Sequence, residues 1–139
     1  LQEGKLNLRN YKNIKWIKAQ AEKLPLKDNL YDFYTISYGI RNVTDINKSL
    51  QEAYRVLKPG GLLLITTTDF NWLKAVIIAM FYFEKYFYPT NPHVRFFTKS
   101  TLAEVLLAHG FKVIKYSWNG SYLGLMPKGQ MVLARKNKN

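Results

Sequence analysis

Residues 30–68 read LYDFYTISYGIRNVTDINKSLQEAYRVLKPGGLLLITTT, and this stretch decides the fold. Its first ten residues are an almost unbroken run of apolar, aromatic and β-branched side chains, the pattern of a strand covered on both faces. Thr44 or Asp45 then opens a helix whose Ile46, Leu50, Ala53 and Leu57 fall on one side. Lys58-Pro59-Gly60-Gly61 stops that helix, because proline cannot continue it and glycine accepts positive φ. LLLITTT (62–68) is a second buried strand. Strand, helix and strand in this order predict a parallel pair with a crossover.

Outward from this unit the chain reads consistently. LQEGKLNLRN (1–10) has the spacing of a helix tail, and NIKWIKA (13–19) alternates as a short strand. AEKLPLKDN (21–29) is a loop punctuated by Pro25 and Asp28-Asn29, with Glu22 and Pro25 shaping it. Residues 70–88, FNWLKAVIIAMFYFEKYFY, predict one long helix, apolar round most of its circumference but interrupted by Lys74, Glu84 and Lys85. A cap helix buried over an apolar pocket is favoured over a helix lying in a membrane interface. In HVRFFTKSTLAEVLLAHGFKVIKYSW (93–118), Thr101 and Glu104 have capping-box spacing, Leu102, Val105, Leu106 and His109 mark the buried side, and Gly110 closes the helix before Phe111. KVIKYSW (112–118) and GQMVLARK (129–136) are two closing strands that predict an antiparallel edge.

The 139 residues are 47% hydrophobic, enough for one domain with a core. The absence of cysteine excludes disulfide scaffolds and thiolate chemistry, and His93 and His109 have no metal-ligand spacing. The net charge of +12 is uneven: residues 1–84 carry 12 basic and 8 acidic side chains, residues 85–139 carry 9 and 1. Such an excess suits an anionic surface, although a lysine-rich solvated exterior gives the same totals. No nucleic-acid-binding signature accompanies it, so no nucleic acid partner is expected.

In open α/β sheets ligands bind beyond the carboxyl ends of the strands, which singles out two clusters. Gln20 and Ala21 follow the first strand, and Ser37, Tyr38, Gly39, Arg41 and Asn42 follow the second. On residue chemistry alone Gln20 is a polar strand end facing water, and Arg41 either faces a ligand or bonds the carbonyls of its own loop. Asp69, at the end of the next strand, is placed as a base by position only. Lys58-Pro59-Gly60-Gly61 is a turn rather than a phosphate site, since no helix follows it. His93 and Arg95 lie where a ligand's polar head or plain solvent would meet them.

AQAEKLPLKDNLYDFYTISYGIRNVTDINKSLQEAYRVLKPGG (19–61) resembles the middle of class I S-adenosylmethionine-dependent methyltransferases. AEKLP and RVLKPGG are shared widely among them. GIRNVTD is the narrower hallmark, similar to the ubiquinone/menaquinone biosynthesis C-methyltransferases (the UbiE/COQ5 family). The likeness is close over residues 14–65 and looser over 98–136. It implies a Rossmann-like α/β domain over residues 1–139, its sheet mostly parallel with an antiparallel carboxy-terminal edge. It further implies S-adenosyl-L-methionine as cofactor, held by Gln20 and Ala21 at adenine and by Ser37, Tyr38 and Gly39 beneath the methyl, with Arg41 and Asn42 catalytic. A lipophilic quinol substrate, a cytoplasmic or mitochondrial-matrix location and peripheral membrane contact go with it.

Two departures stand against the family pattern. The glycine-rich loop and the acidic residue that hold the methionine and ribose parts are not in these 139 residues, so the domain reads as partial, lacking its first strands. The family places those strands between the first two read here. Residues 14–18 and 31–37 are thus not expected to be neighbours, and the segment alone is not expected to be a competent enzyme. HVRFFTKST stands where the family has a Ser-Ile-Arg and His-Pro-Asp-Gln stretch. A class I methyltransferase acting on another small or lipid-like molecule, and a non-catalytic accessory chain, stay open beside the quinol reading.

Overall fold

A computed structural model describes residues 2–88, 95–122 and 126–138. Its elements, in chain order, are α1 (Gln2–Asn7), β1 (Tyr31–Ser37), α2 (Ile46–Val56), β2 (Leu57–Thr68), α3 (Trp72–Phe81), α4 (Phe83–Tyr86), α5 (Lys99–Ala108), β3 (Phe111–Tyr122) and β4 (Met126–Lys136). The four strands form one sheet in the order β1-β2-β4-β3. β1 and β2 are parallel, while β4 runs antiparallel to both β2 and β3. The predicted crossover and antiparallel edge are therefore both present.

Pleat and register place the core. Tyr34, Leu63 and Ala134 stand opposite one another across the sheet, as do Ile36, Ile65 and Val132. That face packs against Leu50 and Ala53 of α2 and Leu102 and Leu106 of α5, with Ile40, Phe97 and Phe111 closing the cluster. Leu62 and Leu64 alternate to the other face, which is only half buried. β1 is accordingly not covered on both sides, and Phe33 is 47% exposed. An apolar run marks a strand, but β1 is the outer strand among the described residues, so its apolar content exceeds what its neighbours bury.

Local signals set the helix ends. The Asp45 side chain accepts from the Lys48 amide at 3.2 Å, capping α2. The capping box of α5 lies one turn earlier than its spacing suggests: Thr98 accepts from the Thr101 amide at 3.2 Å, and the Thr101 hydroxyl accepts from the Thr98 amide at 3.0 Å. Thr98 and Thr101 have the same i, i+3 relation as Thr101 and Glu104, and threonine serves at both positions. Gly110, at φ 80°, ends α5 as expected, and His109 Nδ1 meets the Val105 carbonyl at 2.8 Å. The sequence 58–61 is less a stop than a bulge. Tyr31 pairs with Leu57 and Phe33 with Leu62, so Lys58-Pro59-Gly60-Gly61 loops out opposite Asp32, which Lys58 meets at 2.7 Å. A Cβ on Gly61 would stand 2.9 Å from the Lys58 carbonyl, so the bulge closes only with glycine there.

Two expected elements differ. Residues 13–19 form no ladder, although Ile14 and Trp16 are half buried while Lys15 and Ile17 are exposed. The alternation of a strand is there, without a strand beside it to bond. The segment expected as one buried helix is α3 and α4, broken at Tyr82, and Ile78 is its one buried side chain among the described residues. Trp72, Met80, Phe81 and Phe83 are more than half exposed. A helix without a polar face carries no periodic sign of whether anything lies against it. None of the helices among the described residues is long and apolar enough to cross a membrane.

A charged clamp fixes the loop 21–29. Glu52 of α2 accepts from the Leu24 amide at 2.7 Å and from Arg55, whose Nη atoms bond the Leu26 carbonyl at 2.8 Å and the Leu24 carbonyl at 3.0 Å. The Arg55 hydrogen bond, ahead of the Leu24 amide, draws the Glu52 carboxyl down to about 2 from its ordinary 4.5. A folded-state value below the unfolded one stabilises the fold fully above pH 4.5 and is lost as pH falls towards 2. Denaturant midpoints of the native protein should therefore decline between those limits, and less steeply in Glu52→Gln. An unchanged acid limb in that variant would remove Glu52 as a cause.

Candidate functional site

β1 and β2 end side by side, with Ser37 opposite Thr66. The Tyr38 amide donates to the Thr66 carbonyl at 2.8 Å, and Thr66 Oγ1 donates to Ser37 Oγ at 3.2 Å. The left-handed residue here is not Gly39 but Tyr38, at φ 54°. A bulky side chain in that region is strained and persists only where its surroundings hold it. Part of the hold comes from β4: a Cβ on Gly129 would lie 2.9 Å from Tyr38 Oη. Gly129 thus makes room for the tyrosine, a role that no local sequence pattern indicates.

Gly39-Ile40-Arg41-Asn42 is a turn closed by the Asn42 amide on the Gly39 carbonyl at 2.9 Å. Ile40 is buried in the core and pins the turn, whereas Asn42 is exposed and Arg41 half buried. The Arg41 guanidinium lies 5.9 Å from the centre of the Tyr38 ring. Its Nε is buried and bonds no group among the described residues. The loop carbonyls are taken by another arginine. Arg95 donates from Nη1 to the Val43 carbonyl and to the Arg41 carbonyl at 3.4 Å, and from Nη2 to the Thr44 carbonyl at 2.9 Å. His93 lies outside the described residues.

Gln20 and Ala21 precede Glu22, which ties their loop to the segment after β1. Gln20 is exposed, and its carbonyl accepts from the Lys23 amide at 3.1 Å. The Glu22 carboxylate accepts from the Thr44 amide at 2.7 Å and the Asp45 amide at 3.2 Å, at the start of α2. Its own backbone N–H, then those of Asp45 and Thr44, hold it below the usual carboxylate range. Glu22 shapes its loop, as expected, and also ties the first strand-end cluster to the second.

Asp69 is paired rather than free at its strand end. It is buried, with Lys74 Nζ at 3.1 Å and Asn71 Nδ2 at 3.2 Å on its Oδ2. The ammonium also donates to the Asp69 carbonyl at 2.8 Å and to the Pro127 carbonyl, which fastens α3 to β4. Beside this pair an open, mostly apolar groove of about 700 Å³ runs along the same end of the sheet, lined by Phe70, Trp72, Ala103, Trp118 and Pro127 among others. Gln130, fully buried beneath it, accepts from Tyr116 at 2.7 Å and donates to the Phe97 carbonyl at 2.7 Å. Burial pushes the Tyr116 hydroxyl up to about 12, with the nearby Asp69 charge adding to the effect, so it stays protonated and donating.

Comparison with known proteins gives the arrangement a family. The model of the ubiE/COQ5 methyltransferase family matches residues 1–94, more than half of the chain. The chain belongs to that family. The ubiquinone/menaquinone biosynthesis C-methyltransferase UbiE of Rickettsia prowazekii is 52% identical over 77 residues, 55% of this chain and 30% of the relative. The same-named protein of Pectobacterium carotovorum subsp. carotovorum is 53% identical over 68 residues, 47% and 27%. These matches span less than a third of the curated relatives' length. Among solved structures, a SAM-dependent methyltransferase from Thermotoga maritima has a TM-score of 0.70 at 24% identity, covering 97% of this chain and 70% of its own. A SAM-dependent methyltransferase from Aquifex aeolicus scores 0.68 at 21%, covering 96% and 60%. The cyclase SpnF scores 0.72 at 15%, covering 99% and 61%. These likenesses show the UbiE/COQ5 chain's Rossmann-like fold, which a cyclase shares, so the reaction has to be argued from the site.

Proposed function

We propose that the native protein carrying this chain methylates a ring carbon of a lipophilic quinol in ubiquinone/menaquinone biosynthesis, with S-adenosyl-L-methionine as cofactor. The observation that carries the reading is Arg41: a guanidinium just beyond the end of β1, over a strained tyrosine, whose Nε is buried and bonds no described group. Buried polar atoms without partners are uncommon in folded proteins, and an anionic oxygen is the complement such a donor lacks.

The residues present fit one side of the cofactor. Gln20 can both donate to and accept from an adenine edge, Ala21 adds no bulk, and Ser37, Tyr38 and Gly39 are assigned to the methyl side. Residues 1–139 contain no glycine-rich loop for the methionine part. When bound, S-adenosylmethionine supplies a methyl group activated by its positively charged sulfur. Arg41 holds the quinol oxygen as a phenolate, which makes the ring carbon electron-rich enough to form the new bond. Always charged, Arg41 orients a water that takes the ring proton rather than taking it itself. Asn42, exposed beside it, offers an amide to the second ring oxygen.

The groove beside Asp69 suits an apolar tail, and the exposed Trp72, Met80, Phe81 and Phe83 together with the net charge of +12 support a peripheral contact with anionic lipid. One experiment tests these statements together: transfer of labelled methyl to a demethylated quinol presented in neutral or anionic vesicles. Label on the ring carbon is expected, faster with anionic lipid. No transfer to any quinol would overturn the reading, and equal rates would remove the lipid contact. A second reading, another lipid-like acceptor, is favoured by the family match ending at residue 94. Transfer to such an acceptor but not to a quinol would establish it.

A further inference from the structure

We infer that Arg95 is a positioning residue, which holds the loop 41–44 by its carbonyls so that the Arg41 guanidinium stays over the Tyr38 ring with its Nε unbonded among the described residues. The inference rests on the reading of Arg41 above. In the segment between β1 and α2 the Asn42 amide serves the Gly39 carbonyl, but the carbonyls that follow lie in no ladder or helix and need donors from elsewhere. Those of Arg41, Val43 and Thr44 all receive them from the Arg95 guanidinium. A planar fork with five N–H groups can serve three carbonyls at once, which a single ammonium on a flexible stem cannot hold in fixed geometry. On the amide side, Glu22 accepts from Thr44 and Asp45. The loop is thus fixed by a cation on its acceptors and by an anion on its donors.

This arrangement divides labour between two arginines near one loop. Arg95 has both Nη atoms committed to backbone carbonyls, so it is not the group that meets a substrate oxygen. Had Arg41 bonded those carbonyls, its guanidinium would have been turned into the loop instead. Arg95 therefore acts through Arg41, and its loss displaces the guanidinium rather than removing it.

The test is a double-mutant cycle in the native protein, with methyl transfer to the quinol and amide hydrogen exchange as readouts. Arg95→Ala is expected to lower kcat by about 10–10²-fold, the scale of a small misplacement in a site, with cofactor binding unchanged. Added guanidinium ion should restore part of that loss. Arg41→Ala/Arg95→Ala should be no slower than Arg41→Ala alone, and Arg95→Lys should fall between wild type and Arg95→Ala. Additive losses in the double variant, or full activity in Arg95→Ala, would overturn the positioning role. Amides 41–45 should exchange faster in Arg95→Ala whatever the activity, and unchanged exchange would remove the clamp itself. A failure of Arg41→Ala to affect turnover, with exchange altered by Arg95→Ala, would instead locate the fault in the functional reading.

Discussion

Replacing Arg41 with alanine in the native protein is expected to lower kcat for methyl transfer by about 10²–10³-fold, the usual consequence of removing one donor aimed at developing charge. The melting temperature should hardly move. Ile40, not Arg41, pins the turn in the core, and the loop carbonyls are held by Arg95. Arg41→Lys should keep the charge and recover only part of the rate, because an ammonium lacks the planar fork. Measuring kcat and KM separately decides the role. A rise in KM alone would make Arg41 a binding group without special action on the transition state, and intact turnover would discard it as a catalytic residue.

The largest expected effect on stability is at Phe111. It is fully buried where α5 turns into β3, and its ring meets Tyr54 of α2 edge-on, with centroids 5.4 Å apart. The residue before it, Gly110, is packed so tightly that a Cβ there would stand 2.7 Å from the Tyr54 ring. The turn is therefore held against α2 and cannot readily collapse into a void. Truncating a buried phenylalanine at such a site leaves a cavity as well as losing apolar burial, so Phe111→Ala should cost about 3–5 kcal/mol. Phe111→Leu should cost much less. Denaturant titration of the two variants checks this, and a cost below about 1 kcal/mol for alanine would mean that the site repacks freely.

What could be read in the sequence follows from the range of the interactions involved. The β1–α2–β2 order, the Asp45 cap and the Gly110 stop depend on residues a few positions apart and are as their patterns predict, although β2 begins at Leu57 rather than after Gly61. The α5 cap shifted by one turn because two i, i+3 pairs with equivalent chemistry overlap in TKSTLAE (98–104). The exposure of α3 and α4 was not legible, since an all-apolar helix looks the same whether covered or bare. In the candidate site, position beyond the strand ends pointed to Ser37 through Asn42. The loop is held by Glu22, Arg95 and, through Tyr38, Gly129, all distant in sequence and typical of a surface when read alone. The pairing of Asp69 with Lys74 is closer in sequence, but an acid and a lysine five apart carry no sign of burial.

The contact between Tyr38 and Gly129 makes two distant positions one unit of inheritance. With tyrosine at 38 in its left-handed conformation, every β-carbon at 129 collides with the phenol oxygen. A side chain at 129 therefore requires the Tyr38 phenol to move, and it also presses on the Thr67 carbonyl, 3.1 Å from the same β-carbon. Paired change at positions 38 and 129 is therefore expected wherever this strand-end floor is rebuilt.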